Sequence, residues 1–317
     1  MSRLESEEHK ALAMDDLMHS LQQHCIEQGY PISFSTFVIV AQKYKMSDLL
    51  ERTRAVQQRW EELADCYAAN VAQLALKLGR AMVQEMKLLD ARSILEAGCG
   101  PGALTLDMAR LLKDRSVRIV ATDITEAMIK KTSSIEFPCA VEVAQADAQD
   151  LSAFSADSFD RYVACLSLML VPEADLMIQE SFRVLSPGGI AGFTIWGDRK
   201  RSPIFTCIEE AYATCGHSVA SGKRSNFYLA DDEPALRDRF LKHGFRNVVT
   251  WHFGTVAEPF DIDSAMEFMR RTPMFLGLEL PKDLETRFDE ELRKILSKTF
   301  GEGIPLQIDA IIILCRK

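Results

Sequence analysis

The sequence predicts an α/β chain: a doubly wound, mostly parallel sheet of seven strands, with an N-terminal helical extension and helical cap insertions. Three observations carry this. From Arg92 onward, short β-branched runs alternate with helix-length amphipathic stretches, the pattern of parallel strands joined by crossovers. One apolar run, Ile94 to Ala97, empties into a glycine-rich turn that opens a helix. Another helix stops at Ser186-Pro187-Gly188-Gly189, a stop-and-turn signal.

Taken in order, residues 1–56 read as a helical extension, with scattered Leu, Met, Ile and Val and a break at Gln28-Gly29-Tyr30-Pro31-Ile32. Trp60–Leu88 continues as an amphipathic helical stretch leading into the main domain, 57–317. The expected strands are Ser93–Ala97, Val117–Thr122, Ala140–Ala144, Arg161–Cys165, Gly189–Trp196, Arg246–Phe253 and Gln307–Cys315. Helices are expected between them at Leu104–Lys113, Thr125–Thr132, Ala174–Leu185, Ile204–Cys215, Glu233–His243, Ile262–Arg271 and Lys282–Phe300. Segments 198–245 and 255–304 are expected to form caps over the strand ends. There is no internal repeat.

Composition narrows the function classes. A hydrophobic share of 47% and a charged share of 26% belong to a globular chain. The net charge of −9 argues against nucleic acid, which needs a basic footprint. The mildly basic clusters Arg199-Lys200-Arg201 and Lys223-Arg224 read as solvated surface. No apolar run approaches the ~20 residues of a membrane span, and the first residues have neither signal nor transit character. The eight cysteines are scattered without a two-residue pair, so reduced thiols, a cytoplasmic location and no metal site are expected. The six histidines show no ligand spacing, and no hydrolase elbow, metalloprotease or phosphate-loop motif occurs.

The informative run is Ile94-Leu95-Glu96-Ala97-Gly98-Cys99-Gly100-Pro101-Gly102-Ala103-Leu104. Glycines let the backbone turn tightly and let a ligand approach it, and the first amides of the helix then face that ligand. Asp123 ends the second strand, where a carboxylate accepts from ribose hydroxyls. Asp147 follows the third strand, where a side chain accepts from an adenine amine. Asp160, Arg183-Val184-Leu185 and Pro187-Gly188-Gly189 follow at the fourth strand and before the fifth. A nicotinamide enzyme fits less well, because its third glycine stands three residues after the second, whereas Gly102 stands two after Gly100.

With these residues in place, the run resembles the class I S-adenosylmethionine-dependent methyltransferases, in flavour the ubiquinone/menaquinone-biosynthesis type and related small-molecule enzymes. Ser181-Phe182-Arg183-Val184-Leu185-Ser186-Pro187-Gly188-Gly189 resembles a recurrent turn of that family, and Trp60…Tyr67 its lead-in. The resemblance implies a Rossmann-like fold and S-adenosyl-L-methionine as cofactor, with S-adenosyl-L-homocysteine as product. It implies a cofactor site at Glu96, Gly98, Cys99, Gly100 and Gly102, with Asp123 and Ile124 on the ribose side. Asp147 and Ala148 meet the adenine, Cys165 lines the pocket, and Tyr67 closes over the cofactor. Glu96 stands where an aspartate is commoner, and Pro101 interrupts the last glycines.

Such an enzyme needs no universal catalytic residue, because the sulfonium brings its own activation and the protein supplies alignment. None is assigned. The acceptor is expected to be a small apolar or aromatic molecule meeting Trp196, Tyr228 and Phe275. Each of these also suits ordinary core. The partner expectations are no nucleic acid, no membrane span, and a monomer or weak homodimer. Protein or RNA methylation is a second reading, weakened because Cys165-Leu166-Ser167-Leu168 lacks the Asn/Asp-Pro-Pro-aromatic motif. A methyltransferase-like subunit without turnover is a third.

Overall fold

A computed structural model describes residues 34–217, 226–257, 261–271 and 282–317. The chain parts into two units, Met1–Arg52 and Thr53–Lys317, and the second holds the whole sheet. The expected break at 28–32 and the candidate residue Phe275 lie outside the described residues.

The helices are α1 (Phe34–Asn70), α2 (Ala72–Glu85), α3 (Ala103–Leu112), α4 (Glu126–Ser133), α5 (Ala174–Val184), α6 (Pro203–Thr214), α7 (Glu233–Lys242), α8 (Ile262–Arg271) and α9 (Glu285–Gly301). The strands are β1 (Ser93–Ala97), β2 (Arg118–Asp123), β3 (Val141–Gln145), β4 (Phe159–Cys165), β5 (Leu185–Trp196), β6 (Arg246–Val256) and β7 (Gln307–Arg316). They lie in the order β3-β2-β1-β4-β5-β7-β6. The first five pair in parallel, and β7 runs antiparallel between β5 and β6. The α/β, doubly wound, mostly parallel fold expected from the sequence is the one observed.

Both faces of the sheet are covered, which explains near-continuous apolar strands such as Ile308, Ala310, Ile311, Ile312 and Ile313 of β7. Successive residues alternate between faces. Leu95, Tyr162, Phe193 and Ile311 share one core with α5, α6, α7 and α9. Ile94, Val163 and Ile312 share another with Met82 and Met86 near the end of α2 and with Met108 of α3. In the first core, Tyr162, Phe193 and Phe240 form a chain of rings with centroids 5.4 and 5.0 Å apart. Helix α3 forms because Leu104, Thr105, Met108, Ala109 and Leu112 make one buried stripe. Gly79 lets α2 approach it, since a Cβ there would stand 2.7 Å from a Leu104 methyl.

The fourth-strand signals have a different job from the one their spacing suggested. Asp160 lies near the start of β4, at the amino ends of the parallel strands and so opposite the glycine turn. Its carboxylate accepts from the amides of Arg92 (2.8 Å), just before β1, and Ser93 (3.4 Å), its first residue. Arg183 donates to Glu180 and to the carbonyls of Leu151 and Phe154, which fastens the loop before β4 to α5. The buried Arg161 donates to the carbonyls of Met86, Lys87 and Asp160, holding the end of α2 against β4. All three act in architecture rather than at a ligand.

Candidate functional site

The chain runs outward through β1, β2 and β3, then crosses to β4 and β5 on the other side of β1. That reversal opens a crevice at the carboxyl ends of β1 and β4, the place where sheets of this kind bind ligands. A cleft of about 710 Å³, open to solvent, lies there. Its walls include Gly98, Gly100, Asp123, Ile124, Asp147, Ala148, Cys165 and Tyr67. Glu96, Cys99, Gly98, Gly100, Tyr67 and Cys165 line an adjoining cavity of about 350 Å³.

The glycine turn is held from below and behind. The Gly98 and Cys99 amides both donate to the Thr122 carbonyl at 2.8 Å. Gly98 has φ +76°, and a Cβ there would press to 2.8 Å of the Ser167 Cβ. Gly102 has φ +83° and caps α3, but its Cβ direction meets Thr132 and Ile135 of the α4 region. Gly102 therefore serves helix packing and does not line the cleft. The Thr132 hydroxyl donates to the Gly100 carbonyl at 2.8 Å, an anchor the sequence reading missed.

Glu96 is 2% exposed and accepts from the Thr105 hydroxyl at 2.5 Å. Burial pushes its carboxyl up to about 8; the Thr105 hydrogen bond opposes the shift and the Asp123 charge adds to it. Asp123 Oδ1 accepts from the Thr125 amide (3.0 Å) and hydroxyl (2.8 Å), and Oδ2 from the Gly100 amide (3.0 Å). Burial raises its carboxyl despite those bonds. A carboxylate has about four acceptor directions, so one, on Oδ2, remains for a ligand.

Asp147 is partly occupied as well. Its Oδ1 accepts from the Gln149 amide at 2.9 Å and both oxygens from the Gln149 side chain. Gln149 also donates to Thr53 and accepts from the Glu173 amide, so this unforeseen residue ties the third-strand loop to α1 and α5. Neither Cys99 nor Cys165 has the lowered pKa of a reactive thiolate. Burial raises the Cys99 thiol and pushes Cys165 up to about 12. Burial also raises the Tyr67 phenol, whose ring stands edge-on to Trp60 with centroids 5.4 Å apart.

Beyond Tyr67 lies an apolar chamber of about 440 Å³ lined by Trp60, Tyr67, Val71, Leu166, Met169, Leu170, Trp196, Phe205 and Asn226. Trp196 packs edge-on to Phe205 at 5.3 Å. Tyr228 lines neither cleft nor chamber and packs against the main core instead. The seven described cysteines are free thiols, and no cluster of three metal-ligating side chains occurs among the described residues. No described helix is long and apolar enough to cross a membrane.

With this geometry in view, comparison with known proteins is informative. A methyltransferase-domain family model matches residues 94–189, the segment from the glycine turn to the Pro187-Gly188-Gly189 signal. The chain is 27% identical over 155 residues to a ubiquinone/menaquinone biosynthesis C-methyltransferase of Rickettsia prowazekii, covering 46% of this chain and 62% of that protein. It is 28% identical over 133 residues to a ubiquinone biosynthesis O-methyltransferase of Pseudomonas fluorescens, covering 41% of this chain and 55% of that protein. The matches thus span less than two thirds of either relative. A solved Haemonchus contortus phosphoethanolamine N-methyltransferase, bound to S-adenosyl-L-methionine, is 14% identical with a TM-score of 0.44, covering 76% of this chain and 52% of that one. Residues 94–189 therefore match a methyltransferase domain, and the chain resembles the S-adenosylmethionine-dependent enzymes of the ubiquinone type.

Proposed function

We propose that the chain is a methyltransferase that uses S-adenosyl-L-methionine to methylate a small, apolar or aromatic acceptor by in-line displacement, releasing S-adenosyl-L-homocysteine. One observation carries the reading: successive strand ends bring the Gly98–Gly100 backbone, Asp123 and Asp147 round one cleft, and Glu96 to the cavity that adjoins it. The residues suit the cofactor. A Cβ built on Gly100 would meet only Tyr67, at 3.7 Å, so the backbone presents an open cradle. Asp123 keeps an acceptor direction for a ribose hydroxyl, and buried Glu96 offers a carboxylate to an ammonium group.

When bound, the cofactor supplies an activated methyl group. The protein's share is position and exclusion of water. Tyr67, between the cleft and the aromatic chamber, orders the passage between them. Trp196 and Phe205 give the chamber flat apolar walls. The Tyr67 phenol and Cys165 thiol stay protonated near neutral pH, so neither takes a proton from the acceptor. Likeness to quinone-pathway enzymes supports a ring-shaped acceptor. Titration with S-adenosyl-L-homocysteine, followed by a methyl-label screen of metabolite pools and protein extracts, tests the proposal. Saturable binding with label in small molecules is expected; no binding, or label confined to protein, would refute it.

A further inference from the structure

Cleft and chamber share four side chains: Trp60, Tyr67, Leu166 and Leu170. Of these, only Leu166 has its backbone in the left-handed region, with φ 55°. A leucine rarely adopts that conformation and glycine adopts it freely. The conformation is locked by a double restraint. The Leu166 amide donates to both the carbonyl and the hydroxyl oxygen of Thr194, each at 3.0 Å. Thr194 is fully buried in β5, and its hydroxyl also reaches the Cys165 sulfur at 3.3 Å. A bulky side chain kept where a smaller residue would relieve strain marks a site at which the side chain itself is needed. Here it is 5% exposed and forms wall on two cavities at once.

Resting on the function proposed above, we infer that Leu166 is a specificity-determining residue whose side chain sets the width of the opening between cofactor cleft and acceptor chamber. The strained turn aims it into the frame completed by Trp60, Tyr67 and Leu170, so a flat, narrow acceptor reaches the methyl group and a broad one does not. Thr194 is the positioning residue that holds the turn.

The test uses the full chain loaded with S-adenosyl-L-homocysteine, titrated by fluorescence with 2-naphthol (two fused rings) and with 1-hydroxypyrene (four). Wild type is expected to bind 2-naphthol at least tenfold more tightly. Leu166→Gly is expected to bring the ratio of the two affinities close to one, by admitting the broader probe. Leu166→Phe is expected to weaken 2-naphthol at least tenfold, and decides alone if the glycine variant does not fold. A ratio unmoved by the glycine variant, or 2-naphthol binding unmoved by the phenylalanine variant, would overturn the inference. So would wild type that binds sinefungin but neither ring probe, leaving the methyltransferase reading intact. Failure of wild type to bind sinefungin would remove that reading and the inference with it.

Discussion

Asp123 is the residue on which fold and ligand compete most directly. Three of its acceptor directions serve Thr125 and Gly100, so it shapes the loop before any ligand arrives. The Asp123→Ala variant is expected to weaken S-adenosyl-L-homocysteine binding by about 1–3 kcal/mol, the range for lost charge-assisted hydrogen bonds. Calorimetry on the folded variant reads this, and unchanged affinity would contradict the ribose assignment. Glu96 gives a pH signature. Its carboxyl, pushed up to about 8 by burial, holds a proton in the folded protein that the unfolded chain has already released. Stability of the ligand-free protein therefore falls as pH rises from the ordinary carboxylate range to about 8, then levels off. An ammonium ligand favours the ionised form, so its binding expels this proton below pH 8. Glu96→Gln is expected to flatten the stability profile and abolish the proton release, measured by titration in buffers of different ionisation enthalpy.

At the scale of elements, the unexpected feature is the second half of α1. Residues at successive i, i+4 positions form one polar stripe laid along the crevice. Thr53 accepts from Gln149, Gln57 donates to the Ile124 carbonyl, Glu61 accepts from the Ala127 amide, and Asp65 pairs with Lys131. The stripe fastens the helix along the crevice with hydrogen bonds, while Val56, Trp60 and Tyr67 of the same helix line the cleft. Gln57→Ala combined with Glu61→Ala is expected to speed amide exchange across residues 53–67 at least tenfold and to shorten ligand residence, by exchange mass spectrometry and stopped flow. Unchanged exchange would mean that this helix is held by other contacts. None of this was legible in sequence, because a polar stripe at helical spacing looks like a solvated face. The strands and the glycine turn were legible, because their β-branched runs and glycines answer to local geometry alone. The left-handed turn at Leu166 left no trace, since its restraint comes from Thr194, 28 residues away.

For the molecule as a whole, the same contrast holds between local and remote partners. His252 looked isolated, yet on β6 it stands between Asp309 of β7 and Glu233 of α7, 2.6 Å from each. Burial opposes its charge, but hydrogen bonds to the two carboxylates outweigh that and raise its pKa. Asp309, 1% exposed, also accepts from the Asp198 amide, so the cluster joins the chain after β5 and the start of α7 to the sheet. Folded-state stabilisation from His252 is complete below its unfolded pKa and is lost as pH rises through the higher folded value. His252→Gln is therefore expected to cost about 1 kcal/mol near pH 6 and less at pH 9, by denaturant unfolding. A gap that widens with pH would contradict the clamp. The central claim is that one nucleoside cleft, formed where the sheet reverses its winding order, holds the methyl donor. Crystals grown with sinefungin test it most directly: the account predicts density for the adenosyl group between the Gly98–Gly100 backbone, Asp123 and Asp147. A bound ligand elsewhere, or that cleft filled by the protein's own side chains, would contradict it.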